Sequence, residues 1–353
     1  MTLPSFLPSY LVLGKPVDGV IVLVVQQAMR VQALTVAWRG EESVQWYQGA
    51  TQREMCAATK VLLERTTAVP ALAPDTLLQP GTYTYTLALD ALPLDLPPSF
   101  EDDGEGVGSA LPVLDAVSRL PRTLSAQRSH IRYAATALLE YSPATPPPSS
   151  PSSPPVPSQR LTRQCVLRIV ERVSAAQLLA SPVSRSTQQS FLLGGALSLE
   201  ATVGNGGVLF AGQALFVRLR IKNPSSRSID SVTLSLHESL VLKAKSAERD
   251  GGDFVHEFAR RRHVLEAAVA QSVVAANTDE WVRELMLPVP VSTPCTISQA
   301  SHVRRHYALH VELEVSFGSN VLLVVPVQVL QWSPLLAEDL PARLPVALDA
   351  PKA

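Results

Sequence analysis

"LLQPGTYTYTLALDALPLDLPPSF", Leu77–Phe100, reads as one β-strand with a marked start and a marked stop. Pro80-Gly81 is a turn pair, since proline presets one backbone angle and glycine accepts the positive φ that follows. Beyond it Tyr83, Tyr85, Leu87 and Leu89 fall on one face, and Thr82, Thr84 and Thr86 on the other. Such alternation means a sheet with one face on a core, so the stretch is expected to be structural. Pro97 and Pro98 are expected to end the strand, because proline cannot donate to a ladder.

The same period of two recurs along the chain. Leu34, Val36 and Trp38 alternate with smaller or polar residues in "VQALTVAW", and Ile131 and Tyr133 do so in "HIRYAATALLE". "VDGVIVLVV" (Val17–Val25) is apolar on both faces, as a strand buried in a sandwich can be. "CVLRIVERV" (Cys165–Val173) is a further candidate strand. In the second half Leu197, Leu199 and Ala201 alternate, then Leu215, Val217, Leu219 and Ile221, then Val232, Leu234 and Leu236, then Val311, Leu313 and Val315. Many short alternating strands separated by turn residues predict an all-β protein of tandem immunoglobulin-like sandwiches. "DFVHEFARRRHVLEAAVAQSVV" also fits a helix with Phe254, Phe258, Arg261 and Leu265 on one face. Its β surroundings favour a strand.

Two segments read as insertions. Residues 101–129 begin acidic and glycine-rich, "EDDGEGVGS", and residues 142–158, "SPATPPPSSPSSPPVPS", are a Pro/Ser tract that cannot form a packed core. A strand between them of roughly ten residues spans about 33 Å, so the two should leave the sheet at opposite ends. Character changes again between Val173 and Phe191, which places the junction there. The expected division is a first domain over 1–180, a second over 185–333 and a short tail over 334–353.

Composition narrows the function. The chain of 353 residues carries a formal net charge of -1, which offers no general attraction to nucleic acid or anionic membrane. Its 29 prolines argue against long helices. Cys56, Cys165 and Cys295 are odd in number and far apart, so neither a disulfide framework nor a CxxC metal site is indicated. No Asn begins an N-x-[ST] sequon, since Pro224 follows Asn223. No Lys or Arg precedes Lys15, and the apolar runs 17–25 and 321–329 are too short to span a bilayer. These features predict a soluble, reduced, cytoplasmic protein.

The ordered motifs resemble the arrestin family, most closely its α-arrestin (arrestin-domain-containing) branch. The first domain's series is "YLVLGKPVDGVIVL", then "LTVAWRGEESVQW", then "PLDLPPSF" and "IRY". The second domain's series is "GALSLEATVGNGGVLFAGQALFVRLRIKNPSSRSIDSVTLSLHESL", closing with "RELMLPVPVSTPCTISQASHVRRHYALHVELEV" and "LLVVPVQVL". The resemblance implies a non-enzymatic adaptor of protein trafficking. Its expected partners are membrane-protein cargo tails and sorting or ubiquitin-ligase machinery, with peripheral localisation at plasma membrane or endosomes. A retromer-type sorting subunit of the same fold is the nearest alternative, and a hydrolase on a β scaffold is an alternative of another class. The chain departs from the family in the two insertions, in the missing Lys pair before Lys15, and in lacking the PPxY motif by which α-arrestins recruit WW-domain ligases.

Catalytic signatures are missing from the sequence: no GxSxG elbow, no Walker loop, and Arg260 where an HExxH motif starting at His256 needs its second histidine. No catalytic residue, cofactor or metal ligand is therefore assigned. "GNGG" (Gly204–Gly207) reads as a turn. His302 and His306 flank Arg304 and Arg305, a poor setting for a divalent ion. Two binding candidates stay open. Arg260, Arg261 and Arg262 form either a solvated strand edge or a contact for phosphoinositide or phosphorylated cargo, where guanidinium forks suit phosphate. Pro148, Pro151, Pro154 and Pro157 form either a spacer or a polyproline ligand for an SH3-type domain.

Overall fold

A computed structural model describes residues 5–6, 10–48, 54–69, 72–102, 128–144, 158–170, 180–191, 195–246, 255–269 and 274–331. Among them the regular elements are strands and one 3-10 turn. The chain forms two compact units, Met1–Val170 with Lys243–His256, and Glu171–Leu242 with Glu257–Ala353.

The first unit contains β1 (Ser5–Phe6), β2 (Tyr10–Val12), β3 (Val17–Val25), β4 (Met29–Gln48) and β5 (Glu54–Ala68). It continues with β6 (Thr76–Leu78), β7 (Gly81–Leu89), β8 (Phe100–Asp102), β9 (Arg128–Pro143) and β10 (Gln159–Val170). One sheet has the order β1-β3-β7; the other runs β5-β4-β9-β10-β2, with β6 on β4 and β8 on β9. Ile21 and Leu87 from one sheet and Val36, Ala135 and Ala137 from the other surround one small void, so the two sheets enclose a common core.

The opening stretch is a strand as read. In β7, Tyr85 pairs with Ile21 and Leu87 with Gly19 of β3. Tyr85 and Leu87 are buried while Thr82, Thr84 and Thr86 are exposed. Burial also raises the Tyr85 hydroxyl above its ordinary pKa, with Tyr83 adding to it. The prolines behave differently from expectation. β7 stops at Leu89, well before Pro97, and Leu96, Pro97 and Pro98 are buried in a strap that follows it. The strap is held by acceptors, which proline retains. The Pro97 carbonyl accepts from the Tyr133 hydroxyl at 2.7 Å, and the Leu92 carbonyl accepts from the Gly14 amide at 3.0 Å. Ser99 then bonds Ile169 twice, amide to carbonyl at 3.0 Å and hydroxyl from amide at 2.8 Å.

Val17–Val25 is a strand, fully buried at alternate positions with Val20, Val22 and Val24 half-buried, because a two-sheet sandwich covers one face of each sheet. One further expectation changes. The insertions are shorter than 101–129 and 142–158. Glu101 and Asp102 pair with His130 and Ser129, while Arg128 pairs with Gln45 and Pro143 with Met29. The 20-residue β4 offers ladder partners that far. The remainder, 103–127 and 145–157, lies outside the described residues.

The second unit contains β11 (Val183–Phe191), β12 (Gly195–Val203), a 3-10 turn (Asn205–Gly207), β13 (Val208–Ala211) and β14 (Ala214–Asn223). It continues with β15 (Ile229–Ser246) and β16 (Val255–Val269), apart from their residues 243–246 and 255–256, which count with the first unit, and then β17 (Thr278–Pro288), β18 (Val303–Val315) and β19 (Val321–Gln331). The sheets are β11-β12-β14-β17 and β13-β19-β18-β15, with β16 on β15. Leu199, Leu219 and Ile221 from the first and Leu234, Leu309 and Val311 from the second lie in one buried cluster, which makes this unit a β-sandwich. The segment that also fitted a helix is the strand β16, where a ladder with β15 outweighs the helix propensity of alanine. "GNGG" is a turn, with positive φ at Asn205, Gly206 and Gly207.

Both units repeat one local plan. Tyr307 donates to the Pro294 carbonyl at 2.7 Å, as Tyr133 does to Pro97. Thr296 bonds Val329 through amide and hydroxyl, as Ser99 does Ile169. Gly212, at positive φ, donates to Val289, as Gly14 does to Leu92. Thus "PPSF" and "PCTI" are equivalent straps. Tyr133→Phe and Tyr307→Phe are each expected to lose about 1–3 kcal/mol, because a buried carbonyl is left without its donor. Urea unfolding of each variant measures this, and midpoints equal to the parent's would mean that water takes the donor's place.

Candidate functional site

The exposed face of the larger sheet in the second unit follows from alternation. On β15, Val232, Leu234 and Leu236 turn inward, so Ser231, Thr233, Ser235 and His237 turn outward. On β18, Leu309, Val311 and Leu313 turn inward, so His310, Glu312 and Glu314 turn outward. β16 adds His263 and Glu266, and Asn320 closes one end of the resulting groove. Beside it on β19, Leu322 and Val324 pair with Glu312 and His310 and are 50% and 45% exposed, an apolar ledge along a polar channel.

Hydrogen bonds hold the polar side chains in place. The Ser231 hydroxyl donates to Glu314 Oε2 at 2.9 Å, and Asn320 Nδ2 donates to Glu312 Oε1 at 2.7 Å. Ser235 Oγ lies 2.9 Å from His237 Nε2. The His237 and His310 rings stack with centroids 4.0 Å apart, and His263 lies 4.9 Å from His237. Burial lowers the pKa of His237 first, with His310 and His263 reinforcing it and Glu266 opposing. Burial also lowers His310, aided by Arg261 and His263 and opposed by Glu312. Among the described residues no group of three or more His, Cys, Asp and Glu side chains is arranged to hold a metal ion.

The opposite face of the same strands carries a buried charge network. Glu238, 1% exposed, accepts from Arg262 at 2.8 Å and lies 3.2 Å from the Tyr307 hydroxyl. Arg305, itself 4% exposed, approaches its other oxygen at 3.7 Å. Desolvation is the main cause that raises the Tyr307 hydroxyl well above its ordinary pKa.

The structure separates the basic triplet. Alternation along β16 leaves Arg260 and Arg262 half-buried on one face and Arg261 exposed on the other, near His310. Arg262 pairs with Glu238, so it belongs to the sandwich. Pro148, Pro151, Pro154 and Pro157 lie outside the described residues. Sequence reading passed over Glu238, although its alternation with Leu236 and Leu240 marks an inward position. It also passed over His237, His263 and His310, whose meeting depends on strands far apart in sequence.

Residues 194–334 match the family model described as Arrestin (or S-antigen), C-terminal domain. The match takes in β12 to β19 and likens this part of the chain to the C-terminal domain of arrestins. No curated protein matches the chain. No helix among the described residues is long and apolar enough to cross a membrane.

Proposed function

We propose that this chain is an arrestin-like adaptor of the α-arrestin type, joining membrane-protein cargo to endocytic or endosomal sorting machinery from the cytoplasmic side. The observation that carries it is the arrestin C-terminal domain match over a unit whose larger sheet leaves a long polar face open. The repetition of its strap-and-tyrosine plan in the first unit supports a tandem pair of such domains. In this reading cargo tails lie along the groove between β15, β16 and β18, with Leu322 and Val324 as the apolar contact. Arg260, Arg261 and Arg262 are the candidate anion contact, with Arg261 its exposed member and Arg262 contributing mainly to the fold. The proline tract, through Pro148, Pro151, Pro154 and Pro157, is the candidate SH3-type ligand. With no PPxY, a ubiquitin ligase would have to be reached by another route.

Proximity labelling with the full chain in its own cell type tests the reading. The expected neighbours are membrane proteins together with sorting or ubiquitin-ligase factors. A second arm measures flotation with phosphoinositide vesicles, where Arg261→Ser should weaken binding, more so at low salt. A neighbour set without membrane-traffic proteins overturns the adaptor reading. A single stoichiometric coat complex in its place identifies a retromer-type subunit.

A further inference from the structure

His237, His263 and His310 come from three neighbouring strands and meet in one row on the exposed face. The His237 and His310 planes are 21° apart at 4.0 Å, close to parallel stacking; His263 flanks His237 at 41°. Stacked rings set their nitrogens side by side and do not aim them at one point. That geometry suits protons better than a shared metal ion. Neutral imidazoles stack without penalty, whereas a second positive charge 4.0 Å from the first is repelled strongly in a partly buried setting.

The surroundings set what protonation does. On β16, Arg261 disfavours charge on His310, and Glu266 favours it on His237. On β18, Glu312 favours charge on His310, and Glu314 lies in the same groove. On β15 the neighbour of His237 is the uncharged Ser235, and on β19 the residues opposite Glu312 and His310 are Leu322 and Val324. With the row neutral, three carboxylates outweigh Arg261 and the face is negative. Each proton that His237 or His310 takes offsets one carboxylate, and their mutual repulsion makes them take protons one after the other as pH falls.

We propose that the His237–His263–His310 row is a proton-operated switch that turns this face from one that rejects acidic segments into one that accepts them. The proposal rests on reading the face as a binding surface. It adds that the charge of the ligand it takes is set by pH. The ligand class accepted in mildly acid conditions is an acidic peptide segment, lying over the histidines with apolar residues on the Leu322–Val324 ledge.

The linkage has a defined sign. His237 and His310 are lowered from 6.5 in the folded chain, so below that value the unfolded chain binds more protons. Stability is therefore full above 6.5 and falls as pH drops from 6.5 to the folded-state midpoints. The experiment uses the full chain with 13C-labelled histidine. NMR titration without any partner should give His237 and His310 midpoints below that of free histidine, and His310→Gln should move the His237 midpoint upward. Anisotropy with a fluorescent hexaglutamate peptide should show about tenfold tighter binding at about pH 5.5 than at about pH 7.5, lost in the His237→Gln/His310→Gln double variant. Midpoints equal to free histidine and indifferent to His310→Gln overturn the switch itself, whatever the face binds. Coupled midpoints with equal hexaglutamate binding at both pH values overturn the charge gating and place the fault in the binding-face reading. A double variant that melts like the parent at about pH 7.5 certifies that lost binding is not lost folding.

Discussion

Replacing Glu238 by alanine is expected to cost about 3–5 kcal/mol and to unfold the second unit first, because it removes the carboxylate of a buried ion-pair network. Glu238 is 1% exposed and takes Arg262 at 2.8 Å, with Arg305 at 3.7 Å. Without it, the buried Arg305 and the partly exposed Arg262 lose the carboxylate between them, and the Tyr307 hydroxyl loses one of its two acceptors. Arg262 is one of the side chains that tie β16 to β15, so edge-strand amides should lose exchange protection before the core does. Arg262→Ala in the Glu238→Ala background should recover part of the loss, since it removes the cation that Glu238 paired most closely. Chemical denaturation with hydrogen exchange reads both effects. A Glu238→Ala protein with the parent's midpoint would show that water already solvates the carboxylate.

Leu219→Asp should be comparably severe, and a neighbour on the same strand provides the control. Leu219 is 0% exposed in β14, opposite Ala201 of β12, and packs in the cluster with Leu234 and Val311. An aspartate there is an unpaired group in an apolar interior, at a cost of at least about 4 kcal/mol. That is a large share of the net stability of about 5–15 kcal/mol typical of a domain. Phe216, three residues earlier and 41% exposed, lies on the other face. Phe216→Asp should stay within about 1 kcal/mol. Melting followed by near-ultraviolet circular dichroism separates the two, and equal destabilisation by both would mean that the assigned faces of β14 are wrong.

The faces of the strands were legible in the sequence because side chains alternate with a fixed period of two. Tyr85 and Leu87 against Thr84 and Thr86, and Leu219 against Phe216, needed no knowledge of neighbours. The length of β9 was not legible, since its ends at Arg128 and Pro143 depend on β4 being long enough to pair with them. Nor was the role of Pro97, which looks like a strand stop locally and is a buried acceptor for Tyr133, 36 residues on.

The sequence by itself determined that this protein is built of half-buried strands, and which side chain of each strand turns inward. What only the tertiary structure decided is who meets whom across the ladders. Arg260, Arg261 and Arg262 are adjacent in the chain and are separated by the pleat. His237, His263 and His310 are dispersed in the chain and are brought into one row by the order β16-β15-β18. The reason is physical: alternation is local geometry, carried by each strand alone. Strand order and register are set by the packing of the whole sandwich, and a shift of one residue would turn every one of these side chains to the other face.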